Sequence, residues 1–416
     1  MSKKILLPLL VLGAATLSAQ QYQRCASYEY HQQQLAADPG LQNRMDVIEA
    51  EAATYQANYP NGYSSRAVVT IPVIVHVVYQ NATENISDTR IHEQIQVLNE
   101  DYRKQNADVV NVPTAWQGLA ADMEIQFCLA ARDPQGNWTN GIERVSTSTG
   151  TFNTNDNVKS SSTGGANAWD RNVYLNIWVC DLGSQLLGYA QMPGGAAATD
   201  GVVLHYRYTG KTGAIAPFNK GRTATHEVGH WLNLRHIWAD DGGSCSATDY
   251  CSDTPNQGGE TYGTYTPGTV LTDACTGNAP GYMWCNYMDY TDDGSMYFFT
   301  NNQKTRAWAA LNGSRLPLQT SLGCILNSVQ NLSLSGAFNL YPNPSEGKVT
   351  LDFGTLAPAD YDVTVYNTLG EQVEYVHVEM MSEQTMTLDL RKHGAGVYFV
   401  EVRNDADKVT RRIVIE

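Results

Sequence analysis

Four residues of one short stretch could do chemistry together: His226, Glu227, His230 and His236, in the run THEVGHWLNLRH at 225–236. Residues four apart lie one above the other on a helix face, so His226 and His230 present two imidazoles to one point. That is the spacing of a zinc clamp, with Glu227 one residue around the helix and close to the metal's open side. On an unbroken helix His236 would point about 120° away from the pair. It can ligate only if the chain breaks and folds back, through a left-handed residue that glycine supplies freely and asparagine tolerates best among the rest. Asn233 stands where that break is needed. With nine histidines in 416 residues, such a triple arises by chance in about a few chains in ten thousand, which sets aside an amphipathic helix with incidental histidines.

Well downstream lies Cys285-Asn286-Tyr287-Met288-Asp289-Tyr290. The two stretches together resemble the metzincin metallopeptidases, whose pattern is H-E-x-x-H-x-x-G-x-x-H followed by a methionine turn beneath the metal. Asn233 replaces the family glycine. The run N-Y-M-D-Y, His236-Ile237-Trp238 and Asp253-Thr254-Pro255 are similar to the pappalysin branch, especially its ulilysin-like bacterial members (cytophagalysins), over residues 66–325. The resemblance implies a secreted zinc-dependent endopeptidase acting on proteins or peptides. Three histidines leave the zinc one position for water, and Glu227 would act as base and then acid. Tyr290 is similar to a tyrosine that binds the oxyanion, and Met288 to the apolar floor under the histidines. Asp292 or Asp293 would close the pocket for the residue after the scissile bond, with arginine preferred there. The alternative is a non-catalytic secreted surface-binding protein with a structural metal site. Such a site needs no general base and would take a fourth protein ligand, so Glu227 discriminates against it.

The elements that must position these residues are legible as alternating strands and helices. Residues 68–79 are rich in β-branched side chains, and 124–131, 173–182 and 199–206 read as further strands. Ser87-Asp88 can cap a helix carrying Ile91, Ile95, Leu98 and Tyr102 on one face. Residues 187–195 read either as an edge strand that pairs with substrate backbone or as a connecting loop. His76 and His205 read as strand histidines without a ligand role. A helix with Gln303, Arg306, Ala309 and Leu311 follows, and Cys324 closes the region. The expected fold is an α/β catalytic domain with a twisted sheet and a zinc helix. Residues 240–279 are rich in Asp, Gly, Ser and Thr and bury little, so they need staples. The favoured disulfides are Cys245 with Cys275 and Cys251 with Cys285, with Cys128 to Cys180 plausible between strands. Calcium is the other staple, with Asp249, Asp253 and Thr254 as ligands implied mainly by the family resemblance.

The flanks carry no catalytic constellation. Residues 1–19 read as a secretory signal with Lys3 and Lys4 ahead of an apolar run, and no other stretch reaches membrane-spanning length. The chain therefore enters an oxidising compartment. Its net charge of −15, from 27 basic and 42 acidic residues, argues against nucleic acid or an anionic membrane as partner. Residues 20–65 read as a removable propeptide, released by a cut between Ser65 and Arg66. Its Cys25 is either a thiolate that fills the zinc's open position or a disulfide partner. Residues 331–416 hold six or seven short alternating strands, the pattern of an all-β Ig-like sandwich. Residues 340–347 (LYPNPSEG), Leu369-Gly370 and GAGVYF at 394–399 resemble the C-terminal sorting domain of the type IX secretion system. That resemblance implies its machinery as a partner and export through the periplasm and outer membrane of a Gram-negative bacterium, to the surface or the medium. A retained sugar- or surface-binding module is the competing reading of this segment.

Overall fold

The computed structural model describes residues 22–60, 62–63, 67–183, 185–325, 339–352, 360–378, 385–404 and 408–416. The expected signal, the Ser65–Arg66 junction and the expected start of the last domain at 331 lie outside the described residues. Two units separate: residues 1–129 with 142–321, and residues 130–141 with 322–416.

In the first unit the β-branched run becomes the central strand β1 (Val69–Tyr79), buried over most of its length. Strands β2 (Ile125–Leu129) and β3 (Ile142–Ser146) pair in parallel with its first and second halves. On its other side follow β4 (Leu175–Cys180) and β6 (Val202–His205), both parallel, and then β5 (Gly188–Ala190), antiparallel at the edge. The edge-strand reading of 187–195 thus holds for residues 188–190. Alternation along β1 sends Val73, Val75 and Val77 into the main core and Val78 to the opposite face, where Trp178, Tyr189 and Val203 meet it. Helix α3 (Asp88–Tyr102), capped by Ser87, buries Ile91, Ile95, Leu98 and Tyr102 as its spacing predicts. Helices α4 (Arg222–Trp231) and α5 (Asn301–Asn312) complete that layer, and α5 opens with a Thr300–Gln303 capping box. Ahead of the sheet, α1 (Ser27–Ala37) and α2 (Leu41–Asn58) flank the Asp38-Pro39-Gly40 break. Leu41, Met45 and Ala52 are the buried side chains of α2. Among the described residues no helix is long and apolar enough to cross a membrane.

His76 and His205 are structural, as expected. His76 stacks on Trp178 between Glu143 and Asn176, and His205 Nε2 donates to the Gly183 carbonyl.

The disulfide expectations divide. Cys245 and Cys275 are bonded. Cys128 and Cys180 are not joined: Cys180 is a free buried thiol, while Cys128 is disulfide-bonded. The reason lies in the strand order, because β1 runs between β2 and β4. Two strand spacings of about 4.8 Å exceed the roughly 7 Å that a disulfide spans between Cα atoms. Cys251 and Cys285 are likewise free and buried. Cys285 belongs to the main core, whereas Cys251 lies in the loop, where its backbone N–H donates to Asp249.

The second unit carries β7 (Asn339–Tyr341), β8 (Lys348–Asp352), β9 (Tyr361–Tyr366), β10 (Gln372–Val378), β11 (Thr385–Asp389), β12 (Gly396–Arg403) and β13 (Lys408–Ile415). They form two antiparallel sheets, ordered β10-β9-β12-β13 and β11-β8-β7. Inward residues such as Val349, Leu351, Val363, Val365, Val400 and Ile413 make its core. This is the all-β sandwich expected from period-two alternation.

Candidate active site

Helix α4 stops where the third histidine requires it to. Asn233 takes φ 72°, and the Leu234 N–H closes back on the Gly229 carbonyl at 2.9 Å. This is a C-terminal cap made by a left-handed residue, and it swings His236 round to face the helix. The Nε2 atoms of His226, His230 and His236 then stand 3.1, 3.0 and 3.3 Å apart.

The opposite ring nitrogens fix the tautomers. His226 Nδ1 meets the Tyr287 carbonyl at 2.7 Å, His230 Nδ1 the Leu234 carbonyl at 2.9 Å, and His236 Nδ1 the Asp240 carboxylate at 2.7 and 2.9 Å. Carbonyls and carboxylates only accept, so each Nδ1 carries the proton and each Nε2 a lone pair. Burial, reinforced by the neighbouring histidines, holds His226 and His230 far below the usual imidazole range and so neutral. Three lone pairs aimed at one another repel unless a cation lies between them. A tetrahedral zinc with Zn–N of about 2.0–2.1 Å places its nitrogens about 3.3 Å apart, which these histidines match. Cys25 Sγ lies with the three nitrogens in a group whose donor atoms all fall within 4.8 Å of one another. The residues fit a zinc ion.

Met288 is fully buried beneath α4, so close that a Cβ at Gly229 would meet its sulfur at 2.5 Å. Tyr287 supports the turn from below: its hydroxyl donates to Asp101, which also accepts from Thr225 in α4 and pairs with Arg222. Tyr290 brings its hydroxyl 3.1 Å from His236 Nε2 and donates to the Cys25 carbonyl at 3.3 Å. Glu227 is wholly buried. Its Oε2 accepts from Ser27 Oγ at 2.8 Å and from the Cys25 thiol at 3.3 Å, while Oε1 has no hydrogen-bond partner among the described residues. Burial pushes its carboxyl up to about 7, against the lowering effect of those two donors.

The N-terminal segment fills this cleft along the edge strand. Gln23 exchanges backbone bonds with Gln185 and Leu187 in parallel sense, Ala26 N–H donates to Gly188 O at 3.1 Å, and Ala190 N–H donates to Ser27 Oγ at 2.8 Å. Of the two acids expected in the substrate pocket, Asp293 is buried and Asp292 is not fully so. Asp293 accepts from the Lys220 and Arg222 N–H groups and pairs with Arg24 at 3.3 Å, whereas Asp292 accepts from the surface Thr264. Asp249 and Thr254 come together, with Thr254 Oγ1 donating to both carboxylate oxygens at 2.8–2.9 Å. Burial raises Asp249 to about 7. Asp253 turns instead to the start of α5, where it accepts from Thr300 and the Asn302 N–H.

Sequence reasoning missed Arg24, Ser27, Asp101 and Asp240. Asp240 had a signal, four residues beyond His236, and Arg24 had its place beside Cys25. The contacts of Ser27 and Asp101 join residues more than a hundred positions apart and leave no local trace.

Two family models match the chain: one described as pregnancy-associated plasma protein-A over residues 155–312, and one described as a secretion system C-terminal sorting domain over 339–416. An extracellular metalloprotease of Pyricularia oryzae is 30% identical over 321 residues, spanning 73% of this chain and 94% of that relative. Another, from Colletotrichum graminicola, is 33% identical over 266 residues and spans 60% and 80%. Among solved structures, Tannerella forsythia promirolysin is 49% identical, covers 71% of this chain and 96% of that one, and superposes with a TM-score of 0.66. The chain belongs to the pappalysin family of metzincin metallopeptidases. Like the other pappalysins it is a zinc metalloendopeptidase, and its C-terminal region is a type IX sorting domain, so this pappalysin is a secreted enzyme with protein substrates. Mature mirolysin of Tannerella forsythia, solved with a cleaved peptide, is 55% identical over 62% of this chain and 97% of that one, TM-score 0.60.

Proposed function

We propose that this pappalysin is made as a latent precursor and cuts proteins with Glu227 as general base, before arginine. His226, His230 and His236 hold the metal. Bound there, zinc supplies Lewis-acid activation of a water molecule and of the scissile carbonyl. Glu227, one residue along α4 from His226, takes the proton at Oε2 and hands it to the leaving amine. Tyr290 offers its hydroxyl to the developing oxyanion from beside His236. The edge strand β5 pairs with the substrate backbone. Asp293 receives the arginine side chain, a reading supported by Arg24 already paired with it.

Latency rests on the same contacts. Cys25, once its thiol proton is given up, would be the fourth donor to a bound metal, and Ser27 occupies Glu227. The proposed boundaries are signal 1–19, propeptide 20–65, catalytic domain 66–325 and sorting sandwich 331–416, with export through a Gram-negative periplasm and outer membrane. Asp249 and Thr254 supply oxygens for a calcium ion, without Asp253. The observation that carries the reading is the convergence of three unprotonated nitrogens, Glu227 and Cys25 in one buried pocket.

The test is cleavage of a proteome-derived peptide library by the self-processed protein, with and without chelator, beside Glu227→Gln. Chelator-sensitive cutting before arginine, absent from a Glu227→Gln protein that still binds zinc, is expected. Activity of that variant within tenfold of wild type removes Glu227 as the base.

A further inference from the structure

On the face of the sheet away from α4, a cup built by the catalytic unit encloses Tyr30 of α1, which is 1% exposed. Its ring packs on Tyr189 of the edge strand at 4.9 Å and lies under the Lys159 ammonium at 4.5 Å. Its hydroxyl reaches the two Asp156 carboxylate oxygens at 2.8 and 2.9 Å and Gln191 Oε1 at 3.3 Å, and it receives bonds from Lys159 Nζ at 3.0 Å and Gln34 at 2.9 Å. All but Gln34 lie within residues 66–325, the proposed catalytic domain.

The cup does not depend on Tyr30 for its shape. Lys159 is fixed independently by Asp156 at 2.8 Å and by the Thr199 carbonyl at 2.9 Å, and stands over the Tyr189 and Trp178 rings. Gln191 is held by Ala196 and Thr199, and Tyr189 by Asn153. A buried ammonium beside a carboxylate, with aromatic walls, is expensive to assemble merely to hold a segment that is later discarded. Its chemistry suits a phenol: the ring meets a cation and an aromatic face, while the hydroxyl donates to Asp156 and accepts from Lys159. A phenylalanine would leave the buried Asp156–Lys159 pair without the hydroxyl that bonds to both, an acidic side chain would meet Asp156, and a basic one Lys159.

The position of the cup along the edge strand sets its place in the reaction. The segment passes Leu186 at Gln23, Gly188 at Ala26 and Ala190 at Ser27. The Arg24–Asp293 pair and the Tyr30 cup therefore lie on opposite sides of Cys25 and the histidines. Resting on the reading of Asp293 as the pocket after the cut, we infer that the cup becomes, in the mature enzyme, a substrate subsite before the scissile bond that selects tyrosine.

The experiment uses the self-processed protein and fluorogenic peptides carrying Arg after the scissile bond, with Tyr, Phe, Ala or Glu in turn at each upstream position. One position is expected where kcat/KM for Tyr exceeds that for Phe by about tenfold or more, as for other sites built to bond a hydroxyl. Asp156→Asn should bring that ratio below about three. The wild-type ratio needs no variant: if no upstream position favours Tyr over Phe by twofold while Arg is still preferred after the cut, the cup only anchors the precursor segment and the inference falls. A Tyr preference without an Arg preference would instead overturn the Asp293 reading and leave the subsite standing. A Tyr preference that survives unchanged in folded Asp156→Asn assigns it elsewhere and refutes the cup.

Discussion

Replacing Asn233 with glycine should stabilise this enzyme although the residue lies in the heart of its metal site. Asn233 is fully buried at φ 72°. A left-handed conformation costs an ordinary L-residue about 1–2 kcal/mol, asparagine somewhat less, and glycine almost nothing. Neither Nδ2 nor Oδ1 has a hydrogen-bond partner among the described residues, and each such buried group costs about 1–3 kcal/mol when unmet. Against this stand the extra entropy of glycine in the unfolded chain, about 0.5–1 kcal/mol, and the space left by a small side chain. The backbone carbonyl, which accepts from Arg306 Nε at 2.7 Å, is unaffected. The balance favours Asn233→Gly by about 0.5–2 kcal/mol, while Asn233→Ala should be less stable than Asn233→Gly by about 1–2 kcal/mol. Urea unfolding in a Glu227→Gln background, which prevents self-digestion, measures both. If Asn233→Gly loses more than about 1 kcal/mol, the amide is satisfied in solution and the reasoning fails.

Other substitutions probe the remaining contacts. Gly229→Ala drives a methyl into Met288 Sδ, and such overpacking should cost about 1–3 kcal/mol in the same unfolding assay, with Met288→Ala in combination relieving part of it. Asp240→Ala removes the partner of His236 Nδ1 and should weaken zinc binding about 10–100-fold in a chelator competition. Glu49 of α2 accepts from Arg306 at 2.6 Å and from Arg235 at 2.9 Å, so Glu49→Ala leaves buried Arg306 without this partner. It should shorten the lag before self-activation, and an unchanged lag would show that this pair does not hold the segment. Burial, reinforced by Arg235 and opposed by Glu49, lowers His31 to about 4. The docked segment keeps His31 neutral, whereas released it binds a proton near 6.5. Docking is therefore at full strength above about pH 6.5 and weakens as pH falls toward about 4. Activation rates measured across that window should rise with acidity, and His31→Gln should flatten the rise.

What could be read from the sequence was local. His226, His230, the break at Asn233 and His236 lie within one helix and its exit, so their spacing alone set their geometry. The strand at 68–79 and the α3 face were likewise carried by short-range periodicity. Between Asp292 and Asp293 spacing could not choose, because adjacent residues in a turn point to different places and only the buried one meets the Arg24 side. The Cys128–Cys180 expectation failed on strand order, a property of the whole sheet. Cys25 stood open between two roles until the chain was folded, since its neighbours His226, His230 and His236 lie some two hundred residues away.

The edge strand β5 is three residues long and antiparallel, and its outer side is covered by residues 23–27. A bare sheet edge with unpaired N–H and C=O groups is a template on which any extended chain can add itself. For a protein that must remain unaggregated in transit, that edge is a hazard; on the reading proposed above it is also the means of gripping substrate. One strip of chain thus decides when the molecule becomes adhesive. On that same reading, its removal would expose the ladder and free Glu227 together, so the sheet would gain the capacity to capture foreign strands only when it could also sever them.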